Sequence, residues 1–257
     1  MQEYLNFQIK ANELITKRGS AYSGNGIYKL NNNYYLQSVN SKSFSLPVSD
    51  SIGSVSAEYI VPEKINCMIT LAHGAGAGMD HPFMISLANS LAQQDIGTLR
   101  FNFPFTEHKK GRPDVPAVAH KTIEAAINNA HETFPLLPLF ASGKSFGGRM
   151  SSQYVSAHAH PAIKGIIFYG FPLHPPGKPS TERAEHLKEV QIPMLFLQGT
   201  KDELATLNLI ENVCSTLPKA TLIKIQGANH AFAAGKQDII PMLAAYTKEW
   251  VVNFIKG

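Results

Sequence analysis

Leu139-Phe140-Ala141-Ser142-Gly143-Lys144-Ser145-Phe146-Gly147-Gly148-Arg149 is the stretch on which the reading of this chain turns. An apolar, strand-like run enters a glycine-flanked serine, and an unbroken helical pattern follows. The form Gly143-x-Ser145-x-Gly147 is that of a nucleophile elbow, a turn tight enough to lift a serine hydroxyl above a sheet. Residues two before and two after the serine crowd together in such a turn, and glycine tolerates both the crowding and positive φ angles. Two rival readings fail. A phosphate-binding loop ending in Gly143-Lys144-Ser145 needs a glycine where Pro138 stands. A dinucleotide fingerprint in Gly74-Ala75-Gly76-Ala77-Gly78 puts its third glycine on Met79 or His81, and the next strand-like run ends in Asn102 rather than an acid.

Outward from the elbow, the pattern is strand, loop, helix, repeated. Cys67–Ala72 is a continuous apolar run of the kind buried on both faces of a sheet. Helices are expected over residues 82–93, 116–133, 146–157, 181–188, 204–216 and 237–255. Strands are expected over 96–102, 137–142, 163–169, 193–198 and 220–225. Alternation of this kind means an α/β fold with a mostly parallel, doubly wound sheet. Ahead of it, Phe44–Val48 and Ser54–Val61 alternate as an antiparallel pair at a sheet edge. Residues 1–42 are polar and read as an N-terminal extension, with 27–30 and 34–37 pairing as a hairpin across Asn31-Asn32-Asn33; the domain proper is set at 43–257.

The chain's 257 residues suit one α/β domain. The charge of +4 is mild and unclustered, so nucleic acid is not an expected partner. No apolar run approaches the ~20 residues of a membrane span, and Met1-Gln2-Glu3-Tyr4-Leu5 lacks the features of a secretory leader; a cytoplasmic location and no membrane partner are expected. Two cysteines, Cys67 and Cys214, form neither a disulfide framework nor a zinc motif and read as buried thiols. No metal or cofactor is expected.

Ligands of such sheets sit beyond the carboxyl ends of the strands, so the loops there are the test of the serine. His73-Gly74-Ala75-Gly76 follows the first buried strand with small residues whose N–H groups can approach an oxyanion; Ala75, with Gly76 as second choice, would pair with the N–H of Phe146. Asp202 lies just past a strand end. Taken alone it reads as a helix cap. His230 lies beyond the last strand, before the terminal helix. Ser145, Asp202 and His230 thus occur in the order and places of a hydrolytic triad. Serine needs the imidazole to take its proton, and the imidazole needs the carboxylate to fix its tautomer.

From residue 44 onward the chain resembles the α/β-hydrolase superfamily. Within it, the chain looks like a dienelactone-hydrolase-like branch of predicted hydrolases that includes the hydrolase-like subunit of the nonspecific-lethal chromatin complex. The matching stretches are His73-Gly74-Ala75-Gly76, Phe101-Asn102-Phe103-Pro104, Gly143-Lys144-Ser145-Phe146-Gly147-Gly148-Arg149, 171–179, Gln198-Gly199-Thr200-Lys201-Asp202 and Asn229-His230. The resemblance implies the hydrolase fold and hydrolase chemistry, and no particular substrate.

The expected activity is hydrolysis of a small or medium ester or thioester, a small-molecule acyl substrate. In the superfamily it resembles, a lid is often inserted after the strand that here ends at Gly170, and about twenty residues before Pro193 leave room for a minimal lid or none. Lys144, His174 and Arg112 are carried forward as candidate substrate contacts. The bland reading of the basic residues is a solvated rim, and that of His174 is packing in its Pro-rich turn. The competing class is a non-catalytic interaction module that keeps the fold for its contacts.

Overall fold

The computed structural model describes residues 22–25, 28–30, 33–35 and 38–255. Its elements in chain order are β1 (Tyr22–Asn25), β2 (Tyr28–Leu30), β3 (Asn33–Tyr35), β4 (Ser38–Ser49), β5 (Gly53–Pro62), β6 (Cys67–Ala72), α1 (Pro82–Ala92), β7 (Ile96–Phe101), α2 (Pro104–Glu107), α3 (Pro116–Thr133) and β8 (Leu139–Lys144). There follow α4 (Phe146–Ala157), β9 (Ile163–Tyr169), a 3-10 helix (Glu182–Glu189), β10 (Met194–Gly199), α5 (Leu207–Ser215), β11 (Ala220–Ile225) and α6 (Ile240–Val252).

Nine strands form one sheet in the order β1-β4-β5-β7-β6-β8-β9-β10-β11. β5 runs antiparallel to β4 and β7, and every pairing from β7 to β11 is parallel. The physical cause is legible in burial. All side chains of β6, β7 and β10 are buried, as helices on both faces require, whereas β11 at the edge is mostly half-exposed. One apolar cluster joins the sheet to α3, α4, the 3-10 helix and α5; a second joins its other face to α1 and α6. The result is a three-layer α/β-hydrolase fold. Residues 170–193, between β9 and β10, hold the 3-10 helix and no lid domain.

The N-terminal boundary is drawn differently by the structure. β4 starts at Ser38, so the limit expected at 42/43 falls inside a strand, and β1 pairs with β4 in the main sheet. Residues 28–30 pair antiparallel with 33–35; Ile27, Leu36 and Gln37 of the expected hairpin, like residues 1–21, lie outside the described residues. The terminal helix begins at Ile240 rather than 237, and α5 at Leu207 rather than 204, because each is preceded by a loop that carries site residues. Among the described residues, no helix is long and apolar enough to cross a membrane.

Candidate active site

β8 delivers the chain into the elbow and α4 leaves it. Ser145 sits between them with φ 50° and ψ −115°, strained backbone for a residue with a side chain. The positive φ expected at the flanking glycines is therefore carried by the serine itself. Gly143 and Gly147 are required by crowding alone. A Cβ on Gly143 would lie 2.4 Å from the Gly147 carbonyl carbon and the Gly148 nitrogen. One on Gly147 would lie 2.4 Å from the carbonyl oxygen of Ala72, at the end of β6. The elbow can approach the neighbouring strand this closely only because residue 147 carries no side chain.

Three loops converge on Ser145. Its hydroxyl donates to His230 Nε2 at 2.8 Å, and His230 Nδ1–H donates to Asp202 Oδ2 at 2.8 Å. Asp202 is buried, and its carboxylate is further held by the Leu204 N–H at 2.8 Å and by Gln198 Nε2–H at 2.5 Å. Oδ2 faces the imidazole, while Oδ1 holds the turn ahead of α5; that helix starts at Leu207 with Thr206 at its N-cap, so Asp202 is not the helix cap that it reads as when taken alone. Gln198 was missed as a functional residue. It is fully buried, and its Oε1 accepts the Phe171 N–H at 2.9 Å, which fixes which end of the amide points at Asp202. A buried glutamine four residues before the acid, at the end of an otherwise apolar strand, was the available signal.

The glycine-rich loop after β6 is pinned rather than loose. His73 is buried, accepts the Phe103 N–H at Nε2 (3.0 Å) and donates from Nδ1 to the Gly74 carbonyl (2.8 Å). Burial pushes its pKa down to about 4 against the opposing pull of the Gly74 bond, so the ring is neutral. Asn102 Oδ1 accepts the Met79 N–H at 2.9 Å, Thr106 donates to the Ala77 carbonyl at 3.1 Å, and Arg100 binds the Met79 carbonyl and Glu58. Gly74 faces the elbow: a Cβ there would be 3.6 Å from that of Ser145. Among the described residues, the N–H groups of Ala75, Gly76 and Phe146 donate to no acceptor. Ala75 and Gly76 are exposed, and Phe146 opens α4, where unpaired N–H groups and the helix dipole favour negative charge.

The three candidate substrate contacts have different surroundings. His174 is buried, its Nδ1–H donating to the Pro175 carbonyl (2.9 Å) and its Nε2 accepting the Thr206 N–H (3.0 Å), so the ring staples the Pro-rich turn to the start of α5 and has no nitrogen left for a ligand. Arg112 is exposed, with no hydrogen bond or ion pair among the described residues. Lys144 turns inward: its Nζ donates to the carbonyl of His230 at 2.6 Å. The two cysteines are buried, and burial pushes both thiols up to about 12. Among the described residues, no group of three or more His, Cys, Asp or Glu side chains could hold a metal ion.

With this geometry in view, comparison with known proteins gives the class. A family model described as an alpha/beta hydrolase domain matches residues 66–244, and the chain belongs to that family. The match takes in the elbow, the Asp202 loop and the His230 loop. Among solved structures, a dienelactone hydrolase from Anabaena variabilis is 18% identical with a TM-score of 0.68, covering 84% of this chain and 98% of its own. Est1E from Butyrivibrio proteoclasticus is 14% identical at a TM-score of 0.65, over 84% and 99% of the two chains. An α/β serine hydrolase without lid from Xanthomonas campestris is 19% identical at 0.65, over 84% and 96%. Identities this low establish likeness of fold. The nonspecific-lethal branch of the family is not among these matches.

Proposed function

We propose that the protein is a serine hydrolase of small or medium esters or thioesters, working through an acyl-enzyme on Ser145. The observation that carries the reading is the continuous Ser145–His230–Asp202 relay, two contacts of 2.8 Å between residues 28 and 85 positions apart in sequence. In the first half-reaction Ser145 Oγ bonds to the substrate carbonyl carbon while its proton passes to His230 Nε2. The carbonyl oxygen takes the negative charge, held by the N–H groups of Phe146 and Ala75, with Gly76 as the alternative donor. The bond to the leaving oxygen or sulfur then breaks, and that atom receives the proton from His230. In the second half-reaction a water gives a proton to His230 and attacks the acyl carbon, and Ser145 Oγ leaves with the proton. Asp202 keeps Nδ1 protonated and stabilises the imidazolium formed in each half.

Substrate size follows from the short connection 170–193, which offers one 3-10 helix and little apolar surface to cover a long acyl chain. The dienelactone hydrolase among the structural neighbours is in keeping with ester-type chemistry. A non-catalytic interaction module has no use for a serine held at φ 50°, a conformation costing about 1–3 kcal/mol.

A fluorophosphonate probe tests the reading. The parent should be labelled once per chain and Ser145→Ala not at all. An unlabelled, folded parent that also hydrolyses no member of an ester and thioester panel would refute it.

A further inference from the structure

Lys144 is the residue of the elbow that the relay leaves unused. Its side chain runs behind the histidine instead of outward, and Nζ donates to the His230 carbonyl at 2.6 Å. The rings of Phe83 and Phe232 stack on each other at 5.8 Å between centroids, and Nζ lies 5.9 and 5.3 Å from them. A Cβ at Gly170 would be 3.2 Å from Nζ and 3.7 Å from Asp202 Oδ2, so the ammonium and the carboxylate flank the same bare stretch of backbone. An ammonium is a costly group to enclose, and an apolar side chain of the same length would fill this slot without desolvation.

We propose that Lys144 is a positioning residue: its charged N–H clamps the backbone of residue 230 to the strand that carries the nucleophile, holding the imidazole between Ser145 and Asp202. The inference rests on the serine-hydrolase reading. Lys144 and Ser145 are consecutive, so the clamp references the base to the nucleophile's own backbone rather than to a distant loop. The His230 loop is tied to the Asp202 loop at its start, by the Lys201 N–H to the Ala228 carbonyl (2.9 Å) and the Gly227 N–H to Thr200 Oγ1 (2.8 Å), but at residue 230 itself the other backbone bond among the described residues is a long 3.4 Å one from its N–H to Glu203. A misplacement of about 1 Å in such a base costs roughly a hundredfold in rate.

A charged donor binds a carbonyl more strongly than a neutral amine, so the clamp also carries a pH signature. Burial lowers the Lys144 pKa to about 8, while Asp202 and Glu203 pull it back up. These two carboxylates, both on the loop after β10, are the titratable groups that act on it. Loss of the charge above about 8 loosens the clamp and gives activity an alkaline limb.

The test compares Lys144→Met and Lys144→Arg with the parent in the full chain. Two readouts are used: kcat and KM on the best ester of the panel, and the far-downfield proton resonance of His230 Nδ1–H, which reports the Asp202 bond without turnover. The Met variant should lose roughly a hundredfold in kcat with little change in KM, and its resonance should broaden at every pH. The Arg variant should recover most of kcat and lose the alkaline limb, because a guanidinium stays charged. A folded Met variant with parental kcat and a parental resonance overturns the proposal, as does an alkaline limb at about 8 that survives in the Arg variant. If the Arg variant does not fold, the Met comparison decides alone. If the parent turns over no ester, the serine-hydrolase reading fails, while the resonance still decides whether Lys144 orients His230.

Discussion

Gln198→Met removes the amide that stands between β9 and Asp202 while keeping the length and volume of the side chain. Two bonds disappear. The Phe171 N–H, bound to Oε1 at 2.9 Å in a fully buried environment, is left unpaired, at a cost of about 1–3 kcal/mol. Asp202 Oδ2 loses a donor to a charged acceptor, about 1.5–3 kcal/mol more. Together these are about 2.5–6 kcal/mol, a large share of the ~5–15 kcal/mol that holds a domain folded. For a chain of this size that is a fall in Tm of roughly 10 °C or somewhat more, measured by calorimetry at neutral pH. Catalysis should suffer separately. Asp202 keeps the Leu204 N–H and His230, but its second oxygen is freer to rotate, and a loss of tenfold or more in kcat is expected. Gln198→Glu is the companion variant: it keeps an acceptor for Phe171 but sets a second carboxyl against Asp202, so its penalty grows as pH rises and both ionise. A Met variant within about 1 kcal/mol of the parent, with parental kcat, would refute the claim that Gln198 holds Asp202.

Gly147→Ala should cost about 1–3 kcal/mol and lower fluorophosphonate labelling sharply, since its Cβ would meet the Ala72 carbonyl oxygen at 2.4 Å and push the elbow away from the loop bearing Ala75; parental Tm and labelling rate would show that the packing is not tight. His73 gives an acid signature: its folded pKa of about 4 lies below its unfolded 6.5, so the unfolded chain binds more protons in between. The stabilisation is complete above about 6.5 and is lost as pH falls through about 4, amounting to about 3 kcal/mol. Chemical denaturation across that range should show the loss in the parent and a flatter curve in His73→Gln; equal slopes would assign the acid sensitivity elsewhere.

The chain's own order determined much of this protein. The run Cys67–Ala72 reads as a strand covered on both faces, and the alternation of strands with α-helices of 9 to 18 residues left a parallel sheet as the packing solution. The Gly143-x-Ser145-x-Gly147 spacing, with an acid and a histidine each just past a later strand, marked the residues that could meet, because parallel strands place all their carboxyl ends at one edge. Side-chain direction was decided only in three dimensions. Lys144 adjoins the nucleophile and His174 lies on the loop after β9, beside the acid's strand in the sheet, yet one turns back onto the His230 carbonyl and the other is consumed by Pro175 and Thr206. Gln198 stands out in the sequence as a polar residue closing an apolar run, but its role is not legible there, since a buried polar residue gains its meaning from the donor and acceptor that fold against it. Periodicity specifies which face of an element is covered; which polar atoms find each other there is settled by the packing of segments far apart in the chain.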